Sequence, residues 1–225
     1  MANDQRHCSR NRCRNCIGCV CTSFGRSPAV SRKALKSRLV VMASGNGSIA
    51  QAIIDAALQQ NFPAQIVAVV CDQPEARVLV RATTAKIPTF ITPLGADRKH
   101  WDDEIFATVE SLNPDLVVSA GFMRILSPEF VSHFKVINSH PALLPLFPGA
   151  HAVADALAAG VSRTGITVHW VDKGVDTGEV IAQQPVEILP NDDVASLHER
   201  IKIIERALIV STIEKIVLSM RKTDA

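Results

Sequence analysis

RLVVMASGNGSIAQAIIDAALQQ, residues 38–60, decides the fold class. Residues 38–43 form a short apolar run containing Val40 and Val41, the composition of a strand buried on both faces. Ser44-Gly45-Asn46-Gly47-Ser48 then interrupts it with two glycines. From residue 49 to residue 60 the period changes: Ile49, Ala52, Ile53, Ala56 and Ala57 share one helical face, and Ser48 is placed to cap that helix. A strand, a glycine turn and a helix in direct succession open a parallel α/β sheet. The same arrangement suits an anion, because backbone N–H groups at the helix start point outward and glycine permits close approach.

The alternation continues downstream. Strands are expected at 65–72, 88–91, 116–120 and 134–137, and helices at 74–85 and 99–112, the latter with Trp101, Ile105 and Val109 inward. Residues 121–130 read as a loop turning into a short helix. The pattern predicts a doubly wound, mostly parallel α/β sheet with a Rossmann-like N-terminal half. After Gly149 the grammar changes. An alanine-rich helix is expected at 151–159, a half-exposed strand at 165–171, a glycine-rich turn at 172–178 and its hairpin partner at 180–188. Asn191-Asp192-Asp193 precedes a long terminal helix that packs through Val194, Leu197, Ile201, Ile204 and Leu208.

The 225 residues are 47% hydrophobic and 20% charged, an ordinary globular composition. No apolar run reaches the roughly 18 residues of a membrane span, and no signal-peptide core opens the chain, so a cytoplasmic protein without membrane contact is expected. Residues 1–37 carry eight Lys or Arg against one acid, Asp4, and hold five of the six cysteines. The spacing of Cys13, Cys16 and Cys19 resembles a metal-ligand run, but no second ligand pair follows at zinc-module spacing. This stretch reads as a basic extension, disordered by composition, ahead of one domain at 38–225 with no metal. The domain itself is mildly acidic, which argues against nucleic acid as a partner.

Ligands of open α/β sheets sit beyond the strands' carboxyl ends. Three loops leave such ends: 44–48, 121–126 and 138–149. NSHPALLPLFPG, 138–149, sets Asn138 and His140 just past the fifth strand and stiffens the rest of the loop with Pro141, Pro145 and Pro148. Asp176, in the glycine-rich turn, can fold over them. An amide donor, an imidazole and a carboxylate suit acyl transfer, and with no evident Ser or Cys nucleophile direct attack by an amine is favoured. The glycine loop alone stays ambiguous. Gly45-x-Gly47-x-x-Ala50, with Asp72 at the next strand end, also fits a nicotinamide-dependent oxidoreductase or a plain structural turn.

SGNGS (44–48), AGFMRILSPEFV (120–131), NSHPALLPLFPGAH (138–151), TGITVHWV (164–171) and GVDTGEVI (174–181) together resemble the glycinamide ribonucleotide transformylases of the formyltransferase family. The resemblance spans about 38–215, with the motifs in order. It implies formyl transfer from 10-formyltetrahydrofolate to the amine of 5′-phosphoribosylglycinamide in de novo purine biosynthesis, by a monomer or homodimer. It implies Asn138, His140 and Asp176 as the catalytic residues, with Asp176 raising the basicity of His140. Gly45, Asn46, Gly47 and Ser48 are implied to cradle the phosphate, and Glu205 to bind the ribose. Arg98, Met123, Arg124, Ile125, Leu126, Asn138 and Asp172 are implied to hold the folate.

Without the resemblance, Met123, Ile125 and Leu126 read as core, and Arg98 and Glu205 as solvated charges. His100, His133, His169 and His198 read as surface or structural, and His151 as a helix-start residue. Ile49 stands where the family often has asparagine. Ser139 replaces the usual apolar residue between Asn138 and His140, pointing away from the chemistry. A 10-formyltetrahydrofolate deformylase shares the catalytic three; the phosphate loop argues against it.

Overall fold

The chain divides into two units, and the computed structural model describes residues 36–223, all within the second, Leu35–Ala225. The cysteine run and the rest of the basic extension up to residue 35 lie outside the described residues. The described chain folds around one seven-stranded sheet in the order β3-β2-β1-β4-β5-β6-β7. These strands are β1 (Ser37–Ala43), β2 (Ala64–Cys71), β3 (Thr89–Ile91), β4 (Leu116–Ser119), β5 (Val136–His140), β6 (Arg163–Trp170) and β7 (Val180–Glu187). The first five run parallel, and β6 and β7 are antiparallel additions. The doubly wound, mostly parallel sheet expected from the alternating pattern is therefore present.

Six helices cover it: α1 (Ser48–Ala57), α2 (Arg77–Thr84), α3 (Arg98–Ser111), α4 (Pro128–His133), α5 (Ala152–Ala158) and α6 (Val194–Thr223). The period of two along β1 divides the core. Leu39, Val41 and Ala43 pack with α1, α2 and α6, while Val40 and Met42 pack with Trp101, Ile105 and Val109 of α3 and Phe130 of α4. Both faces are sealed, which is why these strands read as unbroken apolar runs. β1 lies between β2 and β4, so the chain turns in opposite directions from this pair, and a crevice opens at their carboxyl ends.

Several local expectations are corrected. Asn138 and His140 do not follow the fifth strand; they end it. β6 pairs antiparallel over Ile137–His140 and extends the strand through them. Strand β6 is buried along nearly its whole length, not half exposed, because β5 and β7 flank it and α5 and α6 cover it. Ser48 is the first residue of α1, and Gly47, with φ 70°, occupies the cap without a side-chain bond. The loop from 121 does turn into a short helix, as expected; it starts at Pro128, where the Ser127 hydroxyl accepts from the Phe130 N–H at 3.2 Å. Val194 is exposed rather than packed. At the start of α6 the Asp193 carboxylate accepts the Ser196 N–H at 2.7 Å, and the Ser196 hydroxyl accepts the Asp193 N–H at 3.0 Å, a reciprocal cap.

Candidate active site

A cleft of about 630 Å³ opens at the carboxyl ends of β1, β4 and β5, within the usual range for small-molecule sites. Register builds its centre. The β5–β6 pairing sets Asn138 opposite His169 and His140 opposite Thr167, so Asn138, His140 and His169 share one face while Ser139 takes the other.

His140 is only 4% exposed. Its Nε2 lies 2.8 Å from the Phe147 carbonyl oxygen and its Nδ1 lies 3.2 Å from Asp176 Oδ2. A carbonyl oxygen can only accept, so Nε2 donates there and Nδ1 is left facing the carboxylate. His169 repeats the arrangement with its nitrogens exchanged. Its Nδ1 donates to the Trp170 carbonyl at 2.9 Å, and its Nε2 lies 3.3 Å from Asn138 Nδ2 and 3.5 Å from Asp176 Oδ1. Asp176 thus stands between two imidazoles, and its Oδ2 also accepts the Gly149 N–H at 2.8 Å. Burial works to raise its pKa. The His169 contact, the Gly149 N–H and the nearby His140 outweigh burial and hold the carboxyl below its ordinary value. Asp176 has φ 54°, a left-handed conformation rare outside glycine and tolerated best by Asn and Asp.

The glycine loop is held from behind by α2. The Gly45 carbonyl accepts the Val78 N–H at 3.1 Å. Arg81 Nε donates to the Asn46 carbonyl at 2.8 Å, and a second guanidinium nitrogen donates to Asn46 Oδ1 at 3.2 Å. The loop's acceptors are thereby drawn toward α2, on the side where Arg81 sits. Gly45, Asn46, Ser48 and Ile49 line the cleft. Gly47 does not; a Cβ there would lie 2.6 Å from Val78 Cβ, so its glycine is required by packing as well as by φ.

Residues 121–126 form the opposite wall. Met123 and Ile125 are 66% and 62% exposed, so neither is core, whereas Leu126 is buried. The Met123 N–H donates to Ser44 Oγ at 2.8 Å, tying this wall to the glycine loop. Arg124 pairs with Asp72 at 2.6 Å. Asp72 is buried beneath that arginine and is absent from the cleft lining, which removes the ribose partner the oxidoreductase reading needed. Arg98 also lies outside the lining; it bonds Asp102 at 2.9 Å and the Ile125 carbonyl, and sits 5.0 Å over the Trp101 ring. Asp172 lines the cleft and closes its own turn, accepting from the Gly174 N–H at 3.0 Å and the Thr177 hydroxyl at 2.7 Å.

Glu205 is not a solvated charge. It is 4% exposed, reaches the cleft from α6 and accepts the Ser139 hydroxyl at 2.7 Å. His169 and His198, read as surface or structural, both line the cleft, as does Lys202. The spacing of His198, Lys202 and Glu205 along one helix face was a readable signal for the last group. His169 gave none, because its role depends on an antiparallel register formed with residues 31 positions away. Among the described residues no group of three or more His, Cys, Asp or Glu side chains is arranged to hold a metal.

A model of the formyl transferase family matches residues 37–213. The chain belongs to the formyl transferase family. Within the family it is 52% identical, over 79% of its length and 83% of the relative's, to the phosphoribosylglycinamide formyltransferase of Mycobacterium tuberculosis. It is 40% identical to the human trifunctional purine biosynthetic protein adenosine-3, matching over 80% of the chain and 18% of that longer protein. The crystal structure of phosphoribosylglycinamide formyltransferase from Brucella melitensis superposes with a TM-score of 0.77 at 38% identity, covering 81% of this chain and 96% of the other. The resemblance carried by the five motifs is thus borne out, and the chain is a formyl-transferring enzyme.

Proposed function

We propose that this formyl transferase carries the formyl group of 10-formyltetrahydrofolate to the amine of 5′-phosphoribosylglycinamide, a step of de novo purine biosynthesis. The observation that carries the reading is the half-buried Asp176 carboxylate held between His140 and His169, with Asn138 beside it, in one cleft with the glycine loop.

The amine nitrogen attacks the formyl carbon, and the carbonyl oxygen gains charge in the tetrahedral intermediate. Asn138 offers an N–H to that oxygen. His140 handles the proton that leaves the amine and the one that reaches the departing folate nitrogen, with Asp176 ionised to stabilise its charged form. The carbon–nitrogen bond to the donor then breaks, leaving formylated ribonucleotide and tetrahydrofolate. The N–H groups of Gly45 to Ser48 and the start of α1 suit the 5′-phosphate. The apolar surfaces of Met123 and Ile125, the backbone of 123–126, and Asp172 suit the pterin. Arg98, at the outer side of that loop, suits the donor's carboxylates.

His140→Ala and Asp176→Ala are each expected to lower kcat by at least about a hundredfold, the size of acid–base and electrostatic contributions. Steady-state assay with both substrates measures this. A kcat near wild type in either variant overturns the assignment.

A further inference from the structure

We propose that Ser139 is the positioning residue of the ribose site: its hydroxyl holds the Glu205 carboxylate so that one oxygen meets the sugar diol of the ribonucleotide. This rests on the reading above, in which Glu205 takes the ribose.

The buried stripe of α6 runs Leu197, Ile201, Glu205, Ile209, Ile213 and Val217, each four residues from the last. A carboxylate in that series is out of place as packing. It sits where the stripe passes the end of β5, and there it meets the one β5 side chain near the strand's end that faces α6. Ser139 lies opposite Val168, which packs in the same core cluster as Ile209 and Ile213, so register aims its hydroxyl at this helix. The donated bond measures 2.7 Å, and both residues are buried yet line the cleft.

An ionised carboxylate has only acceptors, and a serine hydroxyl has one hydrogen to give. The bond spends that hydrogen on Oε1, fixes the carboxylate's rotation and leaves Oε2 for a ligand. A vicinal diol brings two hydroxyl donors at fixed spacing, which an oriented carboxylate accepts and a freely turning one accepts less well. Ser139 points away from the reacting groups, as expected, and toward α6 instead. Asn138 and His140 face the reacting carbon from one side of β5, and Ser139 serves the nucleotide from the other.

The test uses the full-length chain and steady-state kinetics with the ribonucleotide and its 2′-deoxy analogue. Ser139→Ala is expected to raise the KM for the ribonucleotide about tenfold, equivalent to about 1.4 kcal/mol. It should leave kcat and the donor KM within about twofold, because uniform binding alone is lost. Ser139→Thr, which keeps the hydroxyl, should restore the ribonucleotide KM. Wild type should discriminate against the deoxy analogue, and Ser139→Ala should discriminate much less. If wild type discriminates and Ser139→Ala does so equally, with an unchanged KM, the proposal is overturned while the ribose reading stands. If wild type ignores the 2′-hydroxyl, the ribose reading fails and takes the proposal with it. A parallel loss of kcat and both KM values, unrescued by threonine, marks a merely structural serine and also overturns the proposal.

Discussion

Glu205 shows what a buried carboxylate costs at the scale of one side chain. Burial raises its pKa above the ordinary carboxylate value, and the Ser139 bond, then the charges of Lys202 and Arg206, only partly oppose this. The folded chain therefore binds the Glu205 proton more tightly than the unfolded chain does. Its contribution to stability is fully present below the unfolded carboxylate pKa and is lost as pH rises through the folded pKa. Glu205→Gln removes that loss. At neutral pH its Tm is expected to exceed that of wild type. Its KM for the ribonucleotide should rise at the same time. Thermal melts at neutral and acidic pH measure this, and the Tm advantage should shrink toward acid. In the sequence only the family resemblance points to Glu205, although its place four residues from Ile201 and Ile209 marks it as unusual. As candidates, Asn138, His140 and Asp176 are legible from residue type and loop position, and the structure brings them together. The partnership of Asp176 with His169 is not legible, because it exists only once β6 has paired with β5.

Among the elements, the strand, glycine turn and helix of 37–57 supply the loop proposed to take the phosphate, and its two glycines do different work. Gly47 is forced by φ 70° and by Val78 behind it, whereas a Cβ added at Gly45 would meet nothing within 4 Å. Gly47→Ala is expected to destabilise the fold by about 1–3 kcal/mol, the usual cost of a strained left-handed residue with a clash. It should also weaken binding of the ribonucleotide, because the start of α1 must shift. Gly45→Ala should stay within about 0.5 kcal/mol of wild type. Denaturant melts of the two variants check the contrast, and equal losses would contradict it. Most elements were legible because their periods, two and 3.6, differ clearly. Strand ends were less so. Nothing local to Asn138–His140 announces a strand; the antiparallel partner extends it. The burial of β6 is hidden for a similar reason, since alternation along one strand does not show that β5 and β7 flank it and that α5 and α6 pack on it.

For the whole molecule, sheet order converts local motifs into one site. The strand order reverses between β1 and β4, and that switch brings the 44–48 loop beside the 121–126 loop. The antiparallel β6 then delivers His169 and the turn bearing Asp176 to the same crevice. In the proposed reaction one substrate sits on each side of β5, the donor toward the 121–126 wall and the ribonucleotide toward α1 and α6. Among the described residues no helix is long and apolar enough to cross a membrane. The central claim is that formyl passes to an amine bound in this cleft and not to water. The most direct measurement follows consumption of 10-formyltetrahydrofolate with and without 5′-phosphoribosylglycinamide. Turnover is expected to require the ribonucleotide, with one formylated ribonucleotide formed for each tetrahydrofolate released. Turnover at the same rate without the ribonucleotide, yielding formate, would contradict it.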